Sequence, residues 1–258
     1  MEIVSYFGEG NVANFLLLIL RFSGIIAFFP FFDSRLIPMS VKGAMIFFLA
    51  ILFFPLLPPF NTNISILEFM FAGLSEILFG FMCAFFLQIV FSAIAYAGEI
   101  LGFSIGMSVS SAYDPVSGSQ NLIIAQLLSL VGLLIFLSLD YHHLVFALIA
   151  KSFQSVPLGG FMFSDNMAVY FIKAMASLFV IGFTIAFPVV GIILLSEIIF
   201  GMITRAHPQF NLLVIGLPLK VIIAFIVLIV ALPAMMFHFK EEILLAFKTI
   251  SQIMAHRF

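Results

Sequence analysis

Residues 98–121 read GEILGFSIGMSVSSAYDPVSGSQN, and long apolar runs flank them on both sides. Glycines at 98, 102 and 106 lie among small hydroxyl residues, and Tyr113-Asp114-Pro115-Val116-Ser117-Gly118 follows. Backbone of this kind cannot face hydrocarbon, because its amides would have no partners there. It must be buried in protein or line an aqueous path, which points to a pore, a gate or a cavity.

The surrounding composition makes hydrocarbon the relevant solvent. Of 258 residues, 64% are hydrophobic and 9% charged, with a mean hydropathy of +1.30. Ordinary soluble domains are about half apolar and a quarter charged. The net charge of −2 and the lack of a basic cluster argue against nucleic acid. A lone cysteine, Cys83, excludes an internal disulfide framework and reads as packing. The N-terminus does not read as a cleaved signal peptide, since Glu2 and Glu9 stand where basic residues belong and Arg21 interrupts the first apolar run.

A membrane helix needs about 20 mostly apolar residues. Candidate segments are 12–31, 43–57, 67–98, 122–150, 170–201 and 212–239, so the expected fold is an all-α integral membrane protein with these six segments. Pro55, Pro58 and Pro59 close the short second segment. The third and fifth exceed one crossing and are expected to be kinked helices or helical hairpins, with Gly80, Pro188 and Gly191 as bend points. One domain is expected over 1–258. Its tail, 240–258, carries Ile243, Leu244, Phe247, Ile250 and Met254 at helical spacing, suited to a membrane surface or a partner. Loop cations split too evenly for the positive-inside rule to orient the chain.

Arg21, Glu76, Gln88, Glu99, Gln126, Asp140, Lys173, Glu197 and Lys220 lie in or near apolar segments. Each costs about 2.5–3.5 kcal/mol at a helix centre, so each should face protein or water. They serve either a proton or ion relay, or interhelical and intersubunit pairing. A pairing of Lys173 with Glu197 is one expectation. Leu74-Ser75-Glu76-Ile77-Leu78-Phe79-Gly80 is echoed by Leu195-Ser196-Glu197-Ile198-Ile199-Phe200-Gly201, weak support for a repeat. In Asp140-Tyr141-His142-His143 the adjacent histidines would diverge by about 100° on a helix, which disfavours a shared metal ion. No P-loop, GxGxxG, GxSxG or CxxC pattern occurs, so any energy source lies outside the chain. Phenylalanine is abundant, at 36 residues, and tryptophan is absent, which suits tight packing or a water-excluding constriction better than an interfacial belt.

Several landmarks in order resemble the FliR family of flagellar export-gate proteins. They are Gly98 to Met107 with Asp114-Pro115 and Ser117, Ile124-Ala125-Gln126, and Phe136-Leu137 leading to Asp140-Tyr141-His142-His143. Pro157-Leu158-Gly159-Gly160, Ala206-His207-Pro208-Gln209-Phe210-Asn211 and Val214-Ile215-Gly216-Leu217-Pro218-Leu219-Lys220 continue the series. Arg21, Gly24 and Pro30 also fit. The resemblance implies a non-catalytic subunit, without cofactor or metal, of a type III export gate in the bacterial inner membrane. There it would join FliP-like and FliQ-like subunits in a helical hetero-oligomer that passes unfolded flagellar substrates, with FlhB-like and FlhA-like neighbours. It further implies a channel plug at Gly106, Met107, Ser108, Val109, Ser110, Ser111, Ala112, Tyr113, Asp114, Pro115 and Gly118, with Met107, Val109 and Tyr113 as occluding side chains. Some relatives carry Phe in place of Val109 and Ala112. An injectisome subunit, an autonomous transporter using Glu76, Glu99 or Glu197, and a metalloenzyme on His142 and His143 are the competing readings.

Overall fold

The computed structural model describes residues 9–32, 37–57, 65–107, 123–163, 165–207 and 212–255. Among these residues the regular structure is helical throughout. Helix α1 is Glu9–Phe28, α2 Met39–Phe53, α3 Ile66–Ile105, α4 Ile123–Ser138, α5 Tyr141–Ser155, α6 Asp165–Ala206 and α7 Leu217–Ala255. Short 3-10 turns follow α1 and α2, and a π turn at Leu212–Gly216 leads into α7.

Local chemistry sets the helix ends. Pro30 and Pro55 stand just past α1 and α2, where the ring removes an amide donor that the next helical turn would need. A capping box starts α3: the Ser65 amide donates to Glu68 Oε2 at 2.7 Å, and the Glu68 amide to Ser65 Oγ at 3.2 Å. Gly106 ends it. The Gly106 amide donates to the Phe103 carbonyl and the Met107 amide to that of Gly102, each at 3.0 Å, with Gly106 at φ +93°. That pairing is a Schellman motif, and its left-handed residue favours glycine.

Among the described residues, four helices are long and apolar enough to cross a membrane: Asn11–Phe28, Ile66–Ile105, Met167–Ala206 and Val214–Ala255. A fifth span results if the broken pair Ile123–Ser138 and Tyr141–Ser155 counts as one. The second expected segment forms a helix of 15 residues, about 22 Å at 1.5 Å per residue and too short for a core of about 30 Å. The third and fifth segments are continuous helices of 40 and 42 residues rather than hairpins, and α6 runs on through Pro188. Each is about 60 Å long, twice the hydrocarbon thickness. The stretch quoted first also begins inside α3. Residues 98–105 are helical, and Gly98 packs so close to α4 that a Cβ there would lie 2.8 Å from the Ala125 amide nitrogen.

Two compact units divide the chain. The first comprises Met1–Ile89, Asp140–Ala174 and Leu245–Phe258. Its core gathers Leu17, Leu18, Phe22, Phe79 and Met82, none more than 1% exposed. Rings join across it, Phe79 with Phe161 at 5.5 Å and Phe85 with Phe171 at 4.7 Å. Cys83 is buried there. So are Phe247, Ile250, Ile253 and Met254, and Phe247 and Ile250 line a small apolar void with Ile25, Leu87 and Ile149. The chain itself therefore covers these four residues of the tail's apolar face, while Leu244 stays exposed.

The second unit comprises Val90–Leu139 and Met175–Leu244. Its core holds Ile94, Leu101, Leu128, Phe136, Ile185, Val189, Ile193 and Phe239. Phe91 meets Phe136 and Phe239 edge-on, at 5.5 and 5.4 Å. Its α6 face leaves Phe179, Val180, Phe183, Phe187, Leu194 and Ile198 exposed. Apolar exposure on this scale marks a lipid or protein contact surface.

Candidate functional site

Arg21 and Glu76 meet in the first unit, both with side chains 0% exposed. Arg21 Nε donates to Glu76 Oε2, and Nη2 donates to Oε1 at 3.1 Å, so the pair is bidentate. The guanidinium also donates to Ser152 Oγ at 3.0 Å and to the Val156 carbonyl at 3.1 Å. Glu76 Oε1 accepts the Gly159 amide at 2.7 Å. The rings of Phe79 and Phe153 both lie against the cation, their centroids 4.6 and 4.9 Å from Cζ. This one network ties α1, α3, α5 and the turn after α5. One helical turn along, α1 and α3 touch backbone to backbone. A Cβ on Gly24 would sit 2.5 Å from the Ile77 carbonyl oxygen, and one on Gly80 would sit 2.7 Å from the Ile25 nitrogen. Gly80 is thus a contact residue within a continuous helix.

Glu197 on α6 takes Lys220 on α7 as its partner. The expected pairing with Lys173 gives way to this local one, because Glu197 and Lys220 flank the connection between consecutive helices. Lys220 is 15% exposed and Glu197 48%. They border a cavity of about 310 Å³ whose wall also includes Gly106, Phe200, Gly201 and Leu217. The two halves of the sequence echo share chemistry. Ser75 and Ser196 each donate to the carbonyl three residues back, and the following glutamate pairs with a cation on another helix.

Of the expected plug, Gly106 and Met107 form the C-terminal cap of α3. Ser108, Val109, Ser110, Ser111, Ala112, Tyr113, Asp114, Pro115 and Gly118 lie outside the described residues. Glu99 is half-buried, while Gln126, Asp140 and Lys173 are exposed.

The His142 and His143 rings do not diverge as expected. Their centroids lie 4.1 Å apart, and one ligand atom from each, with one from Asp140, falls within 4.8 Å of the others. Asp140 adopts a left-handed conformation at φ 57°, and both histidines lie in the first turn after it, where helical side chains fold back toward the N-terminus. Sequence reasoning also missed Ser152, the Val156 carbonyl and the Gly159 amide as partners of Arg21 and Glu76. The left-handed Gly159, at φ 73°, sits within the Pro-Leu-Gly-Gly signal that could have found it.

These features define an all-α membrane protein whose helices are registered by charges buried inside it. Residues 12–246 match the family described as Bacterial export proteins, family 1. The chain is 31% identical over 247 residues to the flagellar biosynthetic protein FliR of Bacillus subtilis (strain 168), covering 93% of this chain and 94% of that one. It is 33% identical to that of Aquifex aeolicus (strain VF5), over 84% and 85% of the two chains. It is 27% identical to that of Escherichia coli (strain K12), over 83% and 82%. The chain belongs to this export family, among the FliR proteins.

Proposed function

We propose that the chain is a non-catalytic component of flagellar protein export. It works in the bacterial inner membrane as one subunit of a gate built with FliP-like and FliQ-like proteins, beside FlhB-like and FlhA-like neighbours. Family membership supports the flagellar export role. One physical observation carries the subunit reading: a long apolar face on α6 stays exposed while the Arg21–Glu76 charges are paired inside the chain. A face of that kind suits other helical subunits as well as lipid.

The plug reading rests on residues 106–121. A 40-residue helix is terminated at Gly106 by a glycine-specific motif, and a hydroxyl-rich, Tyr-Asp-Pro-containing stretch follows. Such backbone needs protein or water around it. Met107, Val109 and Tyr113 are the proposed seal, and unfolded flagellar subunits are the proposed cargo.

The test is co-expression with FliP-like and FliQ-like proteins. The chain should purify with them as one particle and should aggregate when expressed alone. Shortening residues 106–118 should then make cells leak ions while the particle still forms. A stable monomer without partners would overturn the subunit reading, and unchanged permeability in assembled particles would overturn the plug.

A further inference from the structure

The break between α4 and α5 carries a constellation that the export role does not use. We propose that Asp140, His142 and His143 bind a divalent transition-metal ion of the zinc class through two imidazoles and one carboxylate, leaving a coordination position open. The proposal is independent of the gate and plug readings.

The geometry is close to what such an ion needs. One ligand atom from each residue lies within 4.8 Å of the other two, and His143 Nδ1 is 3.8 Å from Asp140 Oδ1. Ligand bonds of about 2.0–2.2 Å in a tetrahedron place donor atoms roughly 3.3–3.6 Å apart. Shifts of about an ångström, within the reach of surface side chains, would close the site. Asp140 and His143 are free to make them, at 72% and 69% exposed.

Two further observations point to a missing partner. Asp140 occupies the N-cap of α5, yet its side chain makes no capping hydrogen bond. An aspartate at this position ordinarily accepts an amide proton from the first turn. Here its carboxylate stands beside the histidine pair instead. His142 Nδ1 is buried with no hydrogen-bond partner, and a buried polar atom left so is costly. An ion held by His142 Nδ1 would supply that atom with the partner that the protein does not.

The helix dipole opposes a cation at this end only weakly. That is small beside three ligand bonds. Ligand type selects the metal class: imidazole with one carboxylate suits zinc, copper or nickel, whereas calcium and magnesium prefer oxygen throughout. The bound ion would cross-link the left-handed Asp140 to the first turn of α5, taking the place of the absent cap.

The experiment uses the full chain in its detergent-extracted assembly, carrying a histidine-free affinity tag. Co²⁺ is titrated while visible ligand-field absorption is recorded, and Zn²⁺ is then added to displace it. One Co²⁺ should bind per copy of the chain, with a band that Zn²⁺ bleaches. Loss of an outer-shell partner alone weakens metal sites by about 10–100-fold, so His143→Ala and Asp140→Asn should each cost at least about tenfold. His143→Gln keeps polarity and size, and gives the same reading if the alanine variant fails to assemble. His207→Ala and His238→Ala should bind as the parent does. Absence of saturable binding, equal weakening by His207→Ala, or full binding in a His142→Ala/His143→Ala double variant would overturn the site.

Discussion

Removing one partner of the buried pair should be far worse than removing both. In Arg21→Met, Glu76 keeps the Gly159 amide but loses the bidentate guanidinium. Its carboxylate, 0% exposed, becomes an uncompensated interior charge, at a cost of about 3–5 kcal/mol. Ser152 Oγ and the Val156 carbonyl lose a donor as well, which moves the cost toward the upper end. Against a total stability of about 5–15 kcal/mol, that is a large share. Arg21→Met/Glu76→Leu replaces both charges with apolar groups of similar bulk, and the thioether can rest against Phe79 and Phe153, where the cation now lies. Buried pairs replaced in this way are often neutral, so the double variant should recover the part of the loss that comes from the unpaired carboxylate, while the Val156 carbonyl and the Gly159 amide stay without their side-chain partners. The assay is a thermal unfolding series on the purified assembly in detergent, with Arg21→Met, Glu76→Leu and the double variant in one cycle. A coupling energy above about 2 kcal/mol is expected. A single-variant cost below about 1 kcal/mol, or a double variant as unstable as the sum of the singles, would refute a charge that depends on its partner.

The exposed pair should behave differently: Lys220→Met leaves Glu197 half in solvent, and unfolding midpoints should register no more than about 1 kcal/mol. Glycine substitutions should split in sign. Gly80→Ala drives a methyl into the backbone of α1 and should cost about 1–3 kcal/mol, while Gly191→Ala meets nothing within 4 Å and should gain about 0.5–1 kcal/mol, both read by the same melting assay. Gly106→Ala forces a left-handed alanine at φ +93°, for a loss of about 1–2 kcal/mol. Gly106→Asn should lose less in parallel melts, because asparagine tolerates that region better.

The amino-acid sequence by itself determined the class of protein. Its hydropathy leaves lipid as part of the solvent, and most long apolar runs became membrane-length helices with proline, capping-box and glycine punctuation at their ends. These are local effects, legible within a turn or two of chain. The list of costly intramembrane charges was legible for the same reason, since the cost of each depends on its own chemistry. Which charge meets which was decided by tertiary structure alone. Arg21 finds Glu76 55 residues away and Ser152 131 away, and no periodicity encodes a contact between distant helices. The glycines show the same division. Composition marked Gly80 as a bend in a helix that was too long, whereas in the fold it is where two backbones touch. A residue without a Cβ permits both, and only the neighbour that fills the space decides between them. The histidine pair was misread because ideal helical geometry was applied to a first turn entered through a left-handed aspartate, a backbone state that three-dimensional structure revealed.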